Sequence, residues 1–368
     1  MKKAIRNTRE FIKKIYVLLD FIVNYKKYIY KQSFYPEKKH KSSKEIYIDF
    51  LKRIIKYNVI EKNYFAFGLD IEGTDPEDYI TYPEFMSLQV SYNGIHQSDR
   101  NSLDYSCLLK DKNLFETLSK KLRIPTLQSL GIYYRNEVIN DSEKTSLEEL
   151  LEVKNSLFLK PTDASQGANT FLIEKNNNSY FINNKESNLS DIISTLNNTK
   201  QNLLVQQKLV QHAELNRLYP NSINTMRIVT IMDKEGPVII ASFLRIGGHG
   251  SIVDNMSAGG LGVGIKEDGT LEKYGFFHGK YGTKTNIHPD TKIEFSSFRI
   301  PYYKEAIDLA KESQLKFKKY VPSVGWDICI TPDGPIIVEG NGEYGPIGLQ
   351  TICGGKAYVF RKYMQNRK

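Results

Sequence analysis

The chain has 368 residues, 40% of them hydrophobic and 25% charged, a balance that excludes a disordered or fibrous protein and allows two or three structural units. Its net charge of +9 sits at one end, because residues 1–44 hold 13 Lys and Arg against three acids while the rest of the chain holds 38 against 39. A body this close to neutral argues against a nucleic-acid groove. Three cysteines (Cys107, Cys329, Cys353) without a CxxC exclude a disulfide framework and a cysteine zinc site, and suit a reducing cytoplasm.

Residues 1–58 read as a basic helical extension, interrupted by Pro36 and the Lys38–Lys44 run. Within it Ile5, Ile12 and Leu19 recur every seven residues with Thr8, Ile15 and Ile22 between them, and Lys13, Lys14, Lys26 and Lys27 lie beside the stripe. Apolar stripes of this kind usually bury against protein, here the body of the chain or a second copy. The other reading is a basic amphipathic helix lying on an anionic membrane surface. Residues 1–31 are therefore a candidate peripheral membrane or protein contact. The apolar stretch Ile15–Val23 contains Asp20 and falls far short of the roughly 20 residues of a spanning helix, and no small-residue cleavage site follows it.

Residues 59–108 form a mixed region rich in Tyr, Gly and Asp. Beyond them the pattern predicts a helix over Leu114–Leu122, ended by Ile124-Pro125, and a strand over Asn155–Leu159. A hairpin follows, with arms Phe171–Glu174 and Tyr180–Ile182, and then a helix over Asp191–Leu196. Strands are expected at Leu203–Gln206, Met226–Met232 and Val238–Arg245, and a helix at Tyr302–Ser313. Two last strands, Val324–Ile330 and Ile336–Glu339, are joined by the turn sequence Thr331-Pro332-Asp333-Gly334-Pro335. Strands, hairpins and helices mixed in this way indicate an α+β fold.

The last hairpin carries the clearest chemistry. With its turn centred on Asp333, Asp327 faces Glu339, and alternation puts Glu339 and Asn341 on one face. Two carboxylates and an amide oxygen set among apolar neighbours, with no cation nearby in sequence, suit a hard ion such as Mg²⁺. The bland alternative is a solvated acidic hairpin. Lys160 ends a strand ahead of the small-residue loop Ser165-Gln166-Gly167-Ala168-Asn169, which suits phosphate oxygens; the loop is not a Walker sequence. Gly259–Gly264 reads as a flexible turn. Arg227 and Arg245 stand in apolar strands and need anionic partners, either structural ones such as Glu214 or Asp254, or a phosphate or substrate carboxylate. His212, His249, His278 and His288 show no metal or triad spacing, and no GxSxG occurs.

The order of these parts resembles the ATP-grasp superfamily, and within it the sugar-transfer-associated subgroup, from about Leu109 to Tyr358. Asp111-Lys112-Asn113-Leu114-Phe115 with Arg123-Ile124-Pro125-Thr126 resembles the family's opening segment. Asn224-Thr225-Met226-Arg227 with Arg245 resembles the subgroup's "NTLR" and following Arg, and Gly325-Trp326-Asp327-Ile328 with Glu339-Gly340-Asn341 the magnesium triplet. The resemblance implies that Lys112 and Lys160 contact ATP phosphates and that Gln166, Gly167 and Ala168 form a flap over them. It implies that Gln206, Gln207, Lys208 and Leu209 hold adenine, that Glu214 binds ribose, and that Asp327, Glu339 and Asn341 bind Mg²⁺. Gln207 stands where many relatives carry Glu. Arg227 and Arg245 would meet the transferring phosphoryl group or the substrate carboxylate.

The expected architecture is an ATP-grasp fold, two α+β subdomains (109–204 and 205–368) clasping nucleotide. The expected activity is ATP-dependent ligation of a small-molecule or sugar carboxylate to an amine, through an acyl phosphate, in cell-surface polysaccharide modification. The expected setting is the cytoplasm, in the body of it or at the inner face of the membrane. The alternatives are a kinase that stops at phosphoryl transfer and a membrane-associated scaffold that binds nucleotide without turnover.

Overall fold

In the computed structural model, which describes residues 2–94, 104–141, 143–163 and 169–365, the strands sort into two antiparallel sheets. The first has eight strands. In spatial order they are Glu143–Ser146, Glu137–Asn140, Ser129–Tyr134, Leu203–Gln207, Ser156–Pro161, Phe171–Asn176, Ser179–Ile182 and Lys185–Ser187. Alternation divides its faces. Leu157, Leu159, Leu203 and Val205 bury against the helices Leu147–Lys154 and Leu189–Asn197 through Leu147, Leu151, Ile192 and Leu196. Phe158, Lys160 and Gln206 are thereby left to the opposite face.

The second sheet has seven strands. In order they are Lys284–Thr285, Leu271–Phe277, Leu261–Ile265, Gly236–Ile246, Thr225–Asp233, Ser323–Thr331 and Gly334–Asn341. One face buries Met226, Ile228, Leu244, Trp326 and Ile328 with Ala306, Ala310 and Phe317 of the helix Tyr303–Phe317. The other buries Val229, Ile231, Ala241 and Phe243 against helices Tyr82–Asn93, Pro346–Cys353 and Ala357–Met364. The charged side chains described below share this face of the sheet, toward one end of its strands. Segment 109–127 spans both sheets. Lys112 N–H donates to Thr162 O at 2.8 Å, while Ile337 N–H donates to Pro125 O at 2.9 Å.

The N-terminal helices Lys2–Ile29 and Ser43–Tyr57 have a core of their own, built on Phe21, Phe50, Ile54 and Tyr64. Ser42 and Glu45 cap the second helix reciprocally. The extension is tied to the second sheet through Lys284, which bonds Glu37 at 2.6 Å and lies over the rings of Tyr35 and Tyr274. The expected stripe is not its buried face: Ile12, Ile15, Leu19 and Ile22 are exposed, and Val17, Leu18, Phe21, Tyr25 and Tyr28 turn inward instead. The heptad count tracked a real apolar face but the wrong one for docking, because this helix is apolar on two sides.

Gly259–Gly264 is not a turn throughout. Only Gly259 (φ 103°) and Gly260 precede the strand Leu261–Ile265. Leu261 and Val263 face the core, while Gly262 leaves room for Ile352, whose Cδ1 would collide with a Cβ there, and Gly264 leaves room for the Glu272 side chain. Gly262 thus makes space for a packed helix.

Candidate active site

Register assembles the charged end of the second sheet. Asp327 pairs with Glu339 on one side and with Arg227 on the other, and Arg227 pairs with Phe243. Arg245, two residues beyond Phe243, shares their face. The turn-centred alignment of Asp327 with Glu339 thus holds, and a bulge shifts the pairing only beyond it. Asn341 Nδ2 donates to Glu339 Oε1 at 3.2 Å, to Asp327 Oδ2 at 3.3 Å and to Gly325 O at 3.3 Å. The three side chains therefore meet around one point.

The acids are not left uncompensated, as the sequence suggested. Arg227 Nε and Nη2 grip Asp327 at 2.5 and 3.0 Å, and Arg245 Nη1 lies 3.3 Å from its Oδ2. Arg245 also bonds Asp254 through Nη2 at 2.7 Å. Asp254 is oriented in turn by Thr225, whose N–H and hydroxyl donate to Oδ2 at 3.0 and 2.5 Å. Burial alone would push the Asp327 carboxyl up, but Arg227 and Arg245 hold it below its ordinary value.

Asn224-Thr225-Met226-Arg227 is now legible residue by residue. Asn224 donates to Leu215 O and Tyr219 O, Thr225 fixes Asp254, Met226 enters the core, and Arg227 holds Asp327. The arginines find Asp327 and Asp254 as partners. Glu214 instead pairs with Arg217 at 2.8 Å.

Lys160 enters from the first sheet and is buried. Burial pushes its ammonium down from the ordinary lysine value. Glu339, Glu116 and Asp327 pull it back up, and neighbouring Lys112 adds to the depression. The two lysines and the acidic pair are thus electrostatic neighbours across one cleft. Glu116 Oε2 accepts from Ser129 N–H at 2.9 Å, and its Oε1 accepts from Gln206. Burial pushes the Glu116 carboxyl up, against Lys160.

Next to Lys160 opens a cavity of about 430 Å³, lined by Phe158, Gln206, Gln207, Lys208, Leu209 and Val338 among others. Its far wall is the loop 209–223, pinned by Gln211 and Asn224: Gln211 Nε2 reaches Tyr219 O and Ser222 O, both at 2.9 Å, and its Oε1 accepts from Asn224 N–H at 2.9 Å. The expected segment Gln206–Leu209 lines this cavity. Glu214 does not, and Ala213 and Asn216 of the same short helix take its place. Gln166, Gly167 and Ala168 lie outside the described residues. Sequence reasoning missed Glu116, Asn216 and Ile252, whereas Asp254 was one of the partners it offered the arginines. The first was within reach, since Glu116 follows Lys112 by four residues on one helix face.

Glu339, Asn341 and Asp327 fit a hard cation. Among the described residues no three of His, Cys, Asp or Glu cluster as a metal site, but this trio adds an amide to two carboxylates. The Asn341 nitrogen lies within 3.3 Å of both acids. Turning that amide over would aim its oxygen at the same point, an assignment that depends on the hydrogen-bond network. Asp327 already accepts four N–H contacts, so it can join a cation only by giving up one of them.

The depressed Lys160 carries a pH prediction. A polyphosphate placed beside it would raise its pKa again, so ATP binding should take up a proton at alkaline pH below 10.5 and weaken as pH rises through that range. Calorimetry in buffers of different ionisation enthalpy measures that uptake. It should vanish in Lys160→Met, and an unchanged uptake in the variant would discard the assignment.

Comparison with known proteins gives a consistent setting. No curated protein matches the sequence. Among solved structures the chain is similar to D-alanyl-alanine synthetase A from Vibrio cholerae O1 biovar eltor, at 13% identity and a TM-score of 0.41 over 72% of this chain and 67% of that one. It is similar to D-alanine–D-alanine ligase from Bacillus anthracis, at 14% and 0.40 over 78% and 76%. It is also similar to L-amino acid ligase from Bacillus licheniformis, at 10% and 0.38 over 72% and 48%. These likenesses are faint in shape and in sequence, and the assignment rests on a stronger match. Residues 93–365, which contain both sheets and the cleft between Lys160 and Glu339, match the sugar-transfer associated ATP-grasp family, and the chain belongs to that family.

Proposed function

We propose that this protein is an ATP- and Mg²⁺-dependent carboxylate–amine ligase that acts on a sugar or small-molecule acid. The observation that carries the reading is the convergence of Lys160 from one sheet with Glu339, Asn341 and Asp327 from the other beside a cavity with ample room for a nucleoside. The sugar-transfer description of the family favours a sugar acid in polysaccharide assembly.

In this reading adenine enters the 430 Å³ cavity against Gln206–Leu209, with Asn216 on the ribose side. Lys112 and Lys160 offset phosphate charge. Glu339 and Asn341, with Asp327 beside them, would hold Mg²⁺, which would supply positive charge to neutralise the phosphates as charge builds on the leaving group. A substrate carboxylate oxygen bonds to the γ-phosphorus as the bond to the β-bridging oxygen breaks, giving an acyl phosphate and ADP. An amine nitrogen then bonds to the acyl carbon, phosphate leaves with the C–O bond pair, and the amine loses a proton. No side chain changes covalently, so catalysis is positioning and charge placement. Arg227 and Arg245 first serve to hold Asp327 ionised, and their charge faces the incoming anions.

The test is ADP release with sugar acids and amines supplied singly and together. Release that needs both partners, with an amide as product, supports the ligase. Release with the acid alone and a stable phosphorylated product would make the protein a kinase, and binding of nucleotide without release under any pairing would leave a scaffold.

A further inference from the structure

The first helix has two apolar faces and the protein uses one. At about 100° per residue, Val17, Leu18, Phe21, Tyr25 and Tyr28 fall together and pack on Phe50, Ile54 and Tyr64. Phe11, Ile12, Ile15, Leu19, Ile22 and Val23 fall on an adjoining arc about 120° wide. They stay in solvent, with Phe11 65%, Leu19 54% and Val23 76% exposed. An unbroken apolar stripe of this length on a surface marks a contact.

The charge around it selects the occupant. Lys13, Lys14, Lys26 and Lys27 are all exposed along the same segment, the last two just beyond the kink at Asn24. Asp20, the acid of that stretch, is already engaged by Asn24 at 2.8 Å and Tyr28 at 2.8 Å. Tyr16 and Tyr30 add exposed aromatic rings with polar tips, the type that settles at a lipid–water boundary. Pairing of this face with a second copy would press together two segments that each hold 13 cations against three acids, whereas an anionic lipid surface is attracted by the same charge. No described helix is long and apolar enough to cross a membrane.

We infer that the first helix, up to its kink at Asn24, lies flat on an anionic bilayer, with the stripe from Phe11 to Val23 at the headgroup–acyl boundary and the neighbouring lysines on lipid phosphates. The contact is electrostatic and apolar at once, so both components are separately removable. It stands apart from the nucleotide site and does not depend on the ligase reading.

The experiment is flotation of the full chain with vesicles of phosphatidylglycerol and phosphatidylcholine, and with phosphatidylcholine alone. The chain should float with the first, much less with the second, and progressively less as salt rises. Ile15→Glu with Leu19→Glu should abolish flotation. Lys13→Gln with Lys27→Gln should weaken it roughly thirty-fold, at about a few-fold per charge. These positions are exposed, so thermal melts followed by circular dichroism should match wild type; the lysine pair, which leaves the apolar stripe whole, keeps the question answerable should the glutamates disturb the helix. Equal flotation with neutral vesicles, or none with anionic ones, overturns the proposal. A chain that ignores vesicles but sediments as a dimer, and is made monomeric by Leu19→Glu, would assign the face to a second copy instead.

Discussion

Glu339→Gln should reduce ADP formation by at least about 10²–10³-fold, the usual scale for losing one preorganised charge in a reacting site, while the melting temperature stays near that of the wild type. The substitution is chosen for shape. The new side-chain amide would keep a carbonyl oxygen for the Asn341 amide, now 3.2 Å from Glu339 Oε1, and the backbone pairing of Asp327 with residue 339 does not involve the side chain. What disappears is one negative charge opposite Lys160 and one hard oxygen donor beside Asp327. An amide NH₂ there would turn a donor toward the place a cation needs an acceptor. ADP release measures the chemistry, and ATP binding by calorimetry separates lost affinity from lost turnover. Full activity in the variant, with intact circular dichroism, would remove the metal assignment and with it the main support for the ligase reading.

Legibility in the sequence followed locality. The hairpin of Asp327 and Glu339 could be aligned because its turn residues are distinctive and its arms are apolar, so alternation and a short loop decide the register. The strands at 156–161, 203–207 and 225–233 could be found for the same reason. The first three strands of the first sheet, between 129 and 146, could not, because they are short, half-polar and held by cross-strand pairing rather than by a core of their own. The helix Pro346–Cys353 escaped notice because its glycine-rich start looks like a loop. At the site the decisive contacts are long-range. Nothing in the neighbourhood of Arg227 says that its acid lies 100 positions away, so a pair of partners had to be left open. The lysine reading needed only strand ends, and Lys160 does sit at the end of its strand facing the cleft. Glu214 and Asn216 stand two residues apart on a single short helix, and it is Asn216 that lines the cavity, a difference of rotation that spacing alone does not resolve.

Asp327→Ala should be the most destabilising single change in the site, by about 3–5 kcal/mol, because it removes one side of a buried ion pair and leaves the other. Against a total stability of about 5–15 kcal/mol that is enough to unfold much of the protein at moderate temperature. Asp327 is fully buried and Arg227 largely so, with 14% of its side chain exposed, and Arg227 gives it two of its N–H groups. Arg245 keeps Asp254 after the substitution and suffers less. Urea denaturation of Asp327→Ala, Arg227→Met and the double variant forms a cycle in which the double loss is smaller than the sum of the singles. Additive losses would show that the pair is not energetically coupled. The acid limb gives a second reading of the same contact. The Asp327 carboxyl has a folded pKa below its ordinary 3.8, so its contribution is present above 3.8 and is lost as pH falls through the lower folded value. Wild-type stability should therefore drop more steeply than that of Asp327→Ala below pH 3.8, and the two curves should converge in strong acid. Parallel curves over that range would mean that the arginines do not hold this carboxylate ionised, and the charged end of the second sheet would need another account.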